Sequence, residues 1–438
     1  MSKKLLSLTV VLSLLLVALA VGVVGAQDDE MPDLTGETVT VFGAFTDASE
    51  VDAVNSIFDA VEEETGVEVE YQGASDFEIL INTRIEAGDP PDIACFPQPG
   101  LMNRFTDEAL DVAEILGEDY LLEQYDQSWL DMATATDGSE KMIGIWKRIV
   151  VKSLVWYNPQ MFADFGYEVP TTWDEMMELS ETIVADGGVP WSISMESGPA
   201  TGWVGTDWVE DIMLRTTTLE NYDAWTVPTS ADERLLFDSP EVRRAFELFG
   251  DVANTEGYVL GGSDRMLGTQ FFDIGVPLVT EDAFMTKMGS FMPPWIDSDT
   301  YEYTISPDGN LWYFAFPPID EEFGVPVLVA GDVCSIYVDT PATREVLKAL
   351  TIGANYQSSV EAGVFFAPQA DAQIEWYPES NLGIAEILAD ASAFRFDGGD
   401  LQPASVGGGT FWQGIVDYVS GVSIDEIMPA IDTAWPTE

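Results

Sequence analysis

The feature that most constrains the fold is a regular alternation of strand and helix patterns over residues 38–96. Residues 38–45 and 67–71 are rich in β-branched and aromatic residues, which is typical of strands. After each of them, apolar residues recur at helical spacing until a glycine ends the run. Residues 90–96 then form a third strand. The order of strand, helix, strand, helix, strand predicts an α/β unit with a parallel sheet.

The same order predicts where a ligand would bind. Parallel strands end at one edge of their sheet, and open α/β sheets bind ligands beyond that edge. The residues at the ends of the first and third strands are therefore candidates for a binding site. These candidates are Phe45, Thr46, Asp47, Phe96 and Gln98.

The rest of the chain continues this mixture of strands and helices without a repeat or a low-complexity linker. Apolar runs predict strands at residues 152–159 and 333–338. Helical spacing after capping residues or prolines predicts helices that begin near Thr172, Ser239, Pro341, Ser380, Phe411 and Ser423. A chain of 438 residues is too long for one compact core, so we expect two domains.

The segment 190–211 combines residue types that suit sugar binding. It contains three tryptophans, four carboxylates and three glycines. A sugar ring stacks its apolar faces on aromatic rings and hydrogen-bonds its hydroxyls to fixed acceptors. Glu196 and Trp203 are the strongest candidates, whereas Asp207 is interpreted as an acid near a helix start and Asp211 as a solvated helix acid. The alternative is a tryptophan-rich core loop with solvated acids.

The charge balance limits the partners of this chain. Acidic residues outnumber basic ones by 77 to 17, which gives a net charge of −60. A field of that sign repels nucleic acid and anionic membranes, and it argues against phosphorylated ligands. The chain contains no histidine, which excludes histidine-dependent triads and histidine metal sites. We expect no cofactor and no metal.

The first 26 residues have the pattern of a secretory signal. Two lysines precede an apolar run at residues 5–24, and small residues stand before a cleavage site after Ala26. We therefore expect export to the periplasm or the cell surface. The apolar run is long enough that an uncleaved membrane anchor stays an alternative. No cysteine stands directly after the apolar run, where a lipid would be attached, so we do not expect a lipoprotein.

Several short motifs together resemble a known family. They are Pro-Asp-Ile-Ala-Cys-Phe-Pro-Gln-Pro-Gly (91–100), Ser-Leu-Val-Trp-Tyr-Asn-Pro (153–159), Pro-Thr-Thr-Trp-Asp-Glu (170–175), Gly-Trp-Val-Gly-Thr-Asp-Trp (202–208) and Phe-Trp (411–412). In this order and spacing they resemble the family 1 extracellular solute-binding proteins, which are the maltodextrin-binding-like receptors of ABC importers. The stretches Glu-Ser-Gly-Pro-Ala-Thr-Gly-Trp (196–203) and Phe-Asp-Gly-Gly-Asp-Leu-Gln-Pro (396–403) are most similar to the alpha-glucoside-binding branch.

This resemblance implies an α/β fold of the type II periplasmic-binding-protein class. Two hinge-connected lobes, each a mainly parallel sheet flanked by helices, would hold the ligand between them. The implied lobe one covers residues 27–150 and 333–378, and the implied lobe two covers residues 155–328 and 381–438. The hinge crossings would lie near residues 151–154, 329–332 and 379–380.

The resemblance also implies a function. The chain would be a monomeric, non-enzymatic receptor that captures a sugar or oligosaccharide, with an alpha-glucoside expected from the branch, and delivers it to ABC permease subunits. One departure matters: Phe96 is followed by Pro-Gln-Pro-Gly where maltodextrin binders have a tryptophan and charged residues. The ligand class therefore carries over, while the individual sugar does not. A secreted glycosidase-like enzyme and a receptor for a cationic solute stay as alternatives.

The family's binding positions complete the set of candidate site residues. The predicted ligand-binding residues are Phe45, Thr46, Asp47, Phe96, Gln98, Glu196, Trp203, Phe291 and Trp412. Trp412 has a core interpretation as well, because apolar residues follow it at helical spacing. Asp397 and Asp400 are compatible with a ligand contact, a calcium loop or a solvated turn.

The implied fold places the strands that carry Cys95 and Cys334 side by side in lobe one. Neighbouring thiols outside the cytoplasm normally oxidise. We therefore predict a disulfide between these two cysteines, which are the two that the chain contains. The alternative is a pair of adjacent reduced thiols.

Overall fold

A computed structural model describes residues 31–436, apart from the side chain of Ala389. The predicted secretory signal and its cleavage site lie outside the described residues. The strands of the described residues form two sheets. They are β1 (Thr38–Gly43), β2 (Glu68–Gly73), β3 (Ile93–Phe96), β4 (Ile145–Val151), β5 (Leu154–Tyr157), β6 (Met285–Lys287), β7 (Trp312–Ala315), β8 (Val327–Ile336) and β9 (Phe394–Phe396).

Helices pack around both sheets. They are α1 (Ala48–Ser56), α2 (Asp59–Thr65), α3 (Phe77–Glu86), α4 (Pro99–Met102), α5 (Val112–Leu116), α6 (Glu118–Gln124), α7 (Gln127–Met132), α8 (Pro159–Phe165), α9 (Trp173–Ala185), α10 (Trp203–Thr216), α11 (Leu219–Thr226), α12 (Pro240–Ala253), α13 (Gly262–Gly268), α14 (Val276–Val279), α15 (Pro341–Ala349), α16 (Gln357–Glu361), α17 (Glu379–Asp390), α18 (Gly398–Leu401), α19 (Trp412–Val419) and α20 (Ile424–Thr433). Within residues 31–436, none of the helices has the length and apolar character needed to cross a membrane.

The larger sheet confirms the α/β unit that the sequence predicts. Its strand order is β2, β1, β3, β8, β4, and β9 pairs with β8. The strand β1 is parallel to β2 and β3, because helices connect these three strands. Gly66 ends α2 in the left-handed conformation, with φ of 76°. The apolar run that predicts one helix before Gly66 forms two, since α1 ends at Ser56 and α2 begins at Asp59.

The smaller sheet differs from the expected mainly parallel sheet. Its order is β6, β5, β7, and both pairs are antiparallel. The reason lies in the path of the chain. The strand β5 leads away from the larger sheet, whereas the segments after β6 and β7 return to it: Ser290 N donates to Val151 O, and Phe316 N donates to Ser153 O. Strands that return must run opposite to the strand that leaves.

The chain passes from the larger sheet to the smaller one within a short segment. Only Lys152 and Ser153 separate β4 in the larger sheet from β5 in the smaller one. The predicted crossing at 329–332 lies inside β8, which is continuous from the start of its pairing with β9 to its pairing with β3. The boundaries of the two lobes stay predictions.

The helix α10 is buried along almost its whole length, which corrects one interpretation. Every residue from Val204 to Thr216 is buried. Asp211 is therefore not a solvated acid, since its carboxylate pairs with Arg215 one turn away and lies 3.1 Å from Lys287 Nζ. A buried carboxylate is stable only when it is paired, and β6 supplies the second cation. The helical spacing around Asp211 gives no indication that Lys287 lies beside it.

The predicted disulfide is confirmed. Cys95 and Cys334 are direct partners in the antiparallel pairing of β3 with β8, and their sulfurs are bonded. Their Cα atoms lie 3.9 Å apart, and 239 positions separate them in the sequence. The bond therefore ties the returning strand β8 to the first α/β unit.

We expect removal of this disulfide to destabilise the protein. The double variant Cys95→Ala/Cys334→Ala should lose about 2–4 kcal/mol of unfolding free energy, because a bond that closes a long loop restricts the unfolded chain. Denaturant titration of oxidised wild type, reduced wild type and the double variant measures this loss. The reduced wild type should match the variant. Equal transition midpoints for all three samples would contradict the expectation.

Candidate functional site

A cavity of about 310 Å³ lies between the elements of the larger sheet and those of the smaller sheet. The larger-sheet side contributes the segments that follow β1 and β3, as the rule for parallel sheets predicts. The other side contributes the start of α10 and the loops around residues 196–198 and 270–272. The strands β4 and β8 form part of the floor.

The structure brings most of the predicted ligand-binding residues together in this cavity. Seven of them line it: Phe45, Thr46, Gln98, Glu196, Trp203, Phe291 and Trp412. Trp412, which also had a core interpretation, is 4% exposed and still forms part of the wall. Residues that are distant in the sequence therefore converge on one site.

Phe96 lies elsewhere. Its side chain is fully buried in the core, with ring-centroid distances of 5.4 Å to Phe77 and 6.1 Å to Phe105. The strand β3 is central in its sheet, and all four of its residues are buried. Because a central strand of this kind is covered on both faces, its last side chain packs in the core and not in the cleft.

Asp47 does not line the cavity either. Its carboxylate caps α1 by accepting hydrogen bonds from Ser49 N (2.9 Å) and Ser49 Oγ (2.5 Å). Asp47 instead lines a second cavity of about 720 Å³, which also contacts Trp156 and Asn381. The two cavities share Trp295.

Aromatic rings form one wall of the first cavity. Trp203 packs edge-on against Phe271 with a centroid distance of 5.3 Å, and Phe271 packs in the same way on Trp295 at 5.1 Å. Phe291 lies 5.0 Å from Trp295. Sequence reasoning missed Phe271 and Trp295, because an aromatic residue in a long irregular segment carries no periodic signal. The wall offers several ring faces to an apolar surface of a ligand.

A buried ion group forms part of the floor. The Arg148 guanidinium pairs with Asp332 and with Glu50 Oε1 at 3.3 Å, and it lies 4.1 Å from the ring centroid of Phe45. Burial raises the pKa of Glu50 above its usual value. Burial alone would lower the pKa of Arg148, but Asp332 and Glu50 raise it. Arg148 is therefore a fixed, charged donor on a strand that ends at the crossing.

A second ion group surrounds Lys152. Its ammonium lies 2.8 Å from Asp207 Oδ1 and 2.5 Å from Asp397 Oδ2. Burial would lower the pKa of Lys152, but Asp207 and Asp397 raise it well above the usual value. Burial would raise the pKa of Asp397, and Lys152 lowers it below its usual value. Burial raises the pKa of Glu210 well above its ordinary range.

The Lys152 group includes Asp397, for which the sequence allows a calcium loop as one alternative. Carboxylate oxygens of Asp207, Glu210 and Asp397 lie within 4.8 Å of one another, a spacing that suits a metal ion. The Lys152 ammonium, however, already contacts two of these three carboxylates. Asp397 also caps α18 by accepting a hydrogen bond from Asp400 N at 2.8 Å. This arrangement supplies the positive charge from the protein itself.

A signal for these buried cations was present in the sequence. Lys147, Arg148 and Lys152 lie within six consecutive residues, in and directly after an apolar strand, in a chain with only 17 basic residues. Charged side chains are rarely buried unless paired, so three cations in and directly after an apolar strand indicate buried partners. The residue pattern gives no information on which distant acids those partners are.

Three polar atoms on the cavity wall are buried and unpaired. Within residues 31–436, Gln98 Oε1, Glu196 Oε2 and Trp295 Nε1 have no hydrogen-bond partner. The other ends of two of these groups are fixed, since Glu196 Oε1 accepts from Gly198 N at 3.0 Å and Gln98 Nε2 donates to Glu78. Buried polar atoms normally have partners, so these three atoms can form hydrogen bonds with a group that enters the cavity.

Comparisons with known proteins identify the family to which this chain is similar. Residues 47–351 match the family model described as bacterial extracellular solute-binding protein. The chain is 40% identical over 379 residues to the osmoprotective compounds-binding protein GgtB of Synechocystis sp. (strain ATCC 27184 / PCC 6803 / Kazusa), which covers 85% of this chain and 87% of that protein. It is 36% identical over 415 residues to the alpha-glucosides-binding periplasmic protein AglE of Rhizobium meliloti (strain 1021), covering 92% and 88%.

Solved structures show the same fold at lower sequence identity. A chitin oligosaccharide binding protein has a TM-score of 0.76 at 19% identity, covering 91% of this chain and 98% of that chain. The solute-binding protein RafE in complex with raffinose has a TM-score of 0.70 at 18% identity, with coverage of 91% and 98%. These likenesses show that the fold is the two-lobed type II fold of solute-binding proteins.

Proposed function

This chain belongs to the bacterial extracellular solute-binding proteins, and we propose that it captures a short, neutral alpha-glucoside in the cavity between its lobes. Proteins of this family bind small molecules such as sugars and work with ABC permeases. They are located in the periplasm or at the cell surface. The family and its structural neighbours consist of binding proteins, and the proposed role of this chain needs no catalytic step.

The proposal rests on one observation. The cavity has a wall of aromatic rings together with three buried polar atoms that lack hydrogen-bond partners within residues 31–436. Two of those atoms, on Gln98 and Glu196, are acceptors, and the Trp295 indole nitrogen is a donor. A sugar presents hydroxyls that both donate and accept, together with C–H faces that stack on rings such as Trp203. A neutral polyhydroxylated ring would therefore pair all three atoms and cover the aromatic wall.

Two further observations support the class and size of the ligand. AglE, at 36% identity over most of both chains, is named for alpha-glucosides. The cavity volume of about 310 Å³ is at the low end of the range for small-molecule sites, roughly 300–1,000 Å³. We therefore propose a ligand of one or two sugar rings and not a long oligosaccharide.

The proposed mechanism follows from the origin of the lining residues. Phe45 and Gln98 belong to the larger-sheet side, and Glu196 and Trp203 belong to the other side. A ligand that contacts both sides binds the closed form better than the open form and shifts the population towards it. The closed form would then be the one that a membrane permease recognises.

A panel of solutes tests the proposal. Maltose, trehalose, sucrose and methyl alpha-glucoside should include a compound that raises the melting temperature, since a ligand that binds only the native state stabilises it. Long maltodextrins should give smaller shifts. Calorimetry of the tightest binder should give an affinity that hardly changes with salt, because the ligand is neutral.

Two outcomes would favour the rival functions. A steep loss of affinity with salt, together with stabilisation by a diamine, would indicate a cationic solute, for which the acidic chain is also suited. Release of glucose from the bound disaccharide, detected by chromatography, would indicate a glycosidase-like enzyme. Neither outcome is compatible with the proposed receptor for a neutral sugar.

A further inference from the structure

We propose that Asp400 recognises a hydroxyl of the ligand directly, through its side-chain carboxyl group. This inference rests on the proposed function, because it assigns a specificity-determining residue to the same cavity. The sequence left Asp400 open between a ligand contact, a calcium loop and a solvated turn. The structure favours the first, since the side chain is only 9% exposed and lines the cavity.

Asp400 differs from the other acids around Lys152 in having no internal partner. Asp207 and Asp397 accept hydrogen bonds from the Lys152 ammonium. Glu210 accepts from Gly398 N at 2.9 Å and from Gly399 N at 3.0 Å. The carboxyl oxygens of Asp400, in contrast, accept no hydrogen bond from residues 31–436; only its backbone N–H takes part in the group. The carboxyl group of Asp400 can therefore form a hydrogen bond with a ligand.

The backbone of Asp400 is held firmly. Glu210 and Asp397 accept the hydrogen bonds of the N–H groups at the start of α18. The backbone at Gly407 also packs directly on the backbone of this turn. A Cβ placed on Gly407 would lie 1.7 Å from Gly399 O. We assign Glu210 and Asp397 as positioning residues, which fix the carboxyl of Asp400 before the ligand arrives.

The charges buried around Lys152 explain why the carboxyl of Asp400 would stay neutral. Asp207, Asp397, Asp400 and Glu210 all act electrostatically on Lys152, which contacts only Asp207 and Asp397, and neighbouring like charges do not all ionise. Burial and then the neighbouring Asp397 raise the pKa of Asp400 well above its usual value. The charged groups that act on it are Asp397, Lys152, Asp207 and Asp332, and the same buried group also contains Glu210, Tyr222 and Lys287. A neutral carboxyl donates one hydrogen bond and accepts others, which matches a sugar hydroxyl.

Calorimetry of two variants tests this assignment with the tightest binder of the glucoside panel. Asp400→Ala should weaken binding about tenfold, because one buried hydrogen-bonding pair is lost. Asp400→Asn should bind within about threefold of wild type, because the amide also donates and accepts. Asp164→Asn, at an exposed helix position, is the control and should bind like wild type.

Two further measurements separate ligand recognition from a structural role. The affinity of wild type should fall as the pH rises through the range in which this carboxyl ionises, which lies above the usual range of an aspartate, and Asp400→Asn should lack this fall. Against monodeoxy analogues of the glucoside, the loss in Asp400→Ala should vanish for one analogue, the one that lacks the recognised hydroxyl.

The possible failures are distinguishable. An equal loss in Asp400→Ala against every deoxy analogue would show a structural role and overturn the assignment. Wild-type affinity in Asp400→Ala would overturn it as well, while leaving the proposed function intact. Absence of any glucoside binding by wild-type protein would overturn the proposed function and this inference with it.

Discussion

Replacing Lys152 with methionine is expected to lower the free energy of unfolding by about 3–5 kcal/mol at neutral pH. The substitution keeps much of the side-chain volume and removes the ammonium. Asp207 and Asp397, both buried, then lose the cation that lies 2.8 Å and 2.5 Å from them. Breaking a buried ion pair from one side leaves an uncompensated charge, which costs far more than the loss of a surface pair.

The pH dependence of this effect has a defined sign. Lys152 lowers the pKa of Asp397 below its usual value, so Asp397 contributes stability above its unfolded pKa of about 3.9. That contribution is lost as the pH falls through the folded pKa. The difference between wild type and Lys152→Met should therefore shrink as the pH decreases from about 5 towards about 3.

Denaturant titration with matched variants measures the expected loss. Arg104→Met is the surface control, since Arg104 pairs with Glu86 where both side chains are more than half exposed, and it should cost less than about 1 kcal/mol. Adding Asp207→Asn to Lys152→Met should recover part of the stability, because one unpaired carboxylate is removed. Equal midpoints for Lys152→Met and Arg104→Met would show that the buried ion group contributes little.

The second large effect concerns ligand affinity. Trp203→Ala and Glu196→Gln should each weaken glucoside binding by about ten- to a hundredfold. The first removes a stacking surface, and the second removes a carboxylate whose Oε2 atom is buried and unpaired in the described chain. Both residues are half-buried on the cavity wall, so the unliganded variants should still fold.

Calorimetry on folded variants, checked by circular dichroism, measures this effect. Phe165→Ala and Glu178→Gln are the matched controls, because Phe165 is 53% exposed and Glu178 is exposed on α9. Asp211 is unsuitable as a control, since its buried carboxylate pairs with Arg215 and Lys287. Wild-type affinity in both site variants would exclude the assigned cavity as the binding site. Unfolding of both would assign Trp203 and Glu196 to the core.

Local patterns were sufficient to predict much of the fold. The alternation of strand and helix over residues 38–96 predicted the parallel part of the larger sheet, and resemblance to a family predicted the pairing of Cys95 with Cys334. Glu196 and Trp203, which line the cavity, are predicted as binding residues because they combine an acid and a ring near glycines. Each of these predictions depends on residues close in sequence or on a fold with known strand order.

The remaining features depend on contacts between distant segments. Arg148 and Lys152 were missed because their partners, Asp332 and Asp397, are far away in the sequence. Phe96 was misplaced because the pattern gives the end of a strand but not the layers that cover it. Whether an acid such as Asp211 is solvated or buried is likewise decided by the elements that pack on its helix.

The most direct test of the proposed site is a crystal structure of the protein with the tightest-binding alpha-glucoside. We expect one ligand in the cavity of about 310 Å³, with a sugar ring stacked on Trp203 and hydroxyls bonded to Glu196 Oε2 and Gln98 Oε1. Electron density for the sugar in the second cavity, beside Asp47 and Asn381, would contradict it. So would a ligand in the first cavity that leaves Glu196 Oε2 and Gln98 Oε1 unpaired.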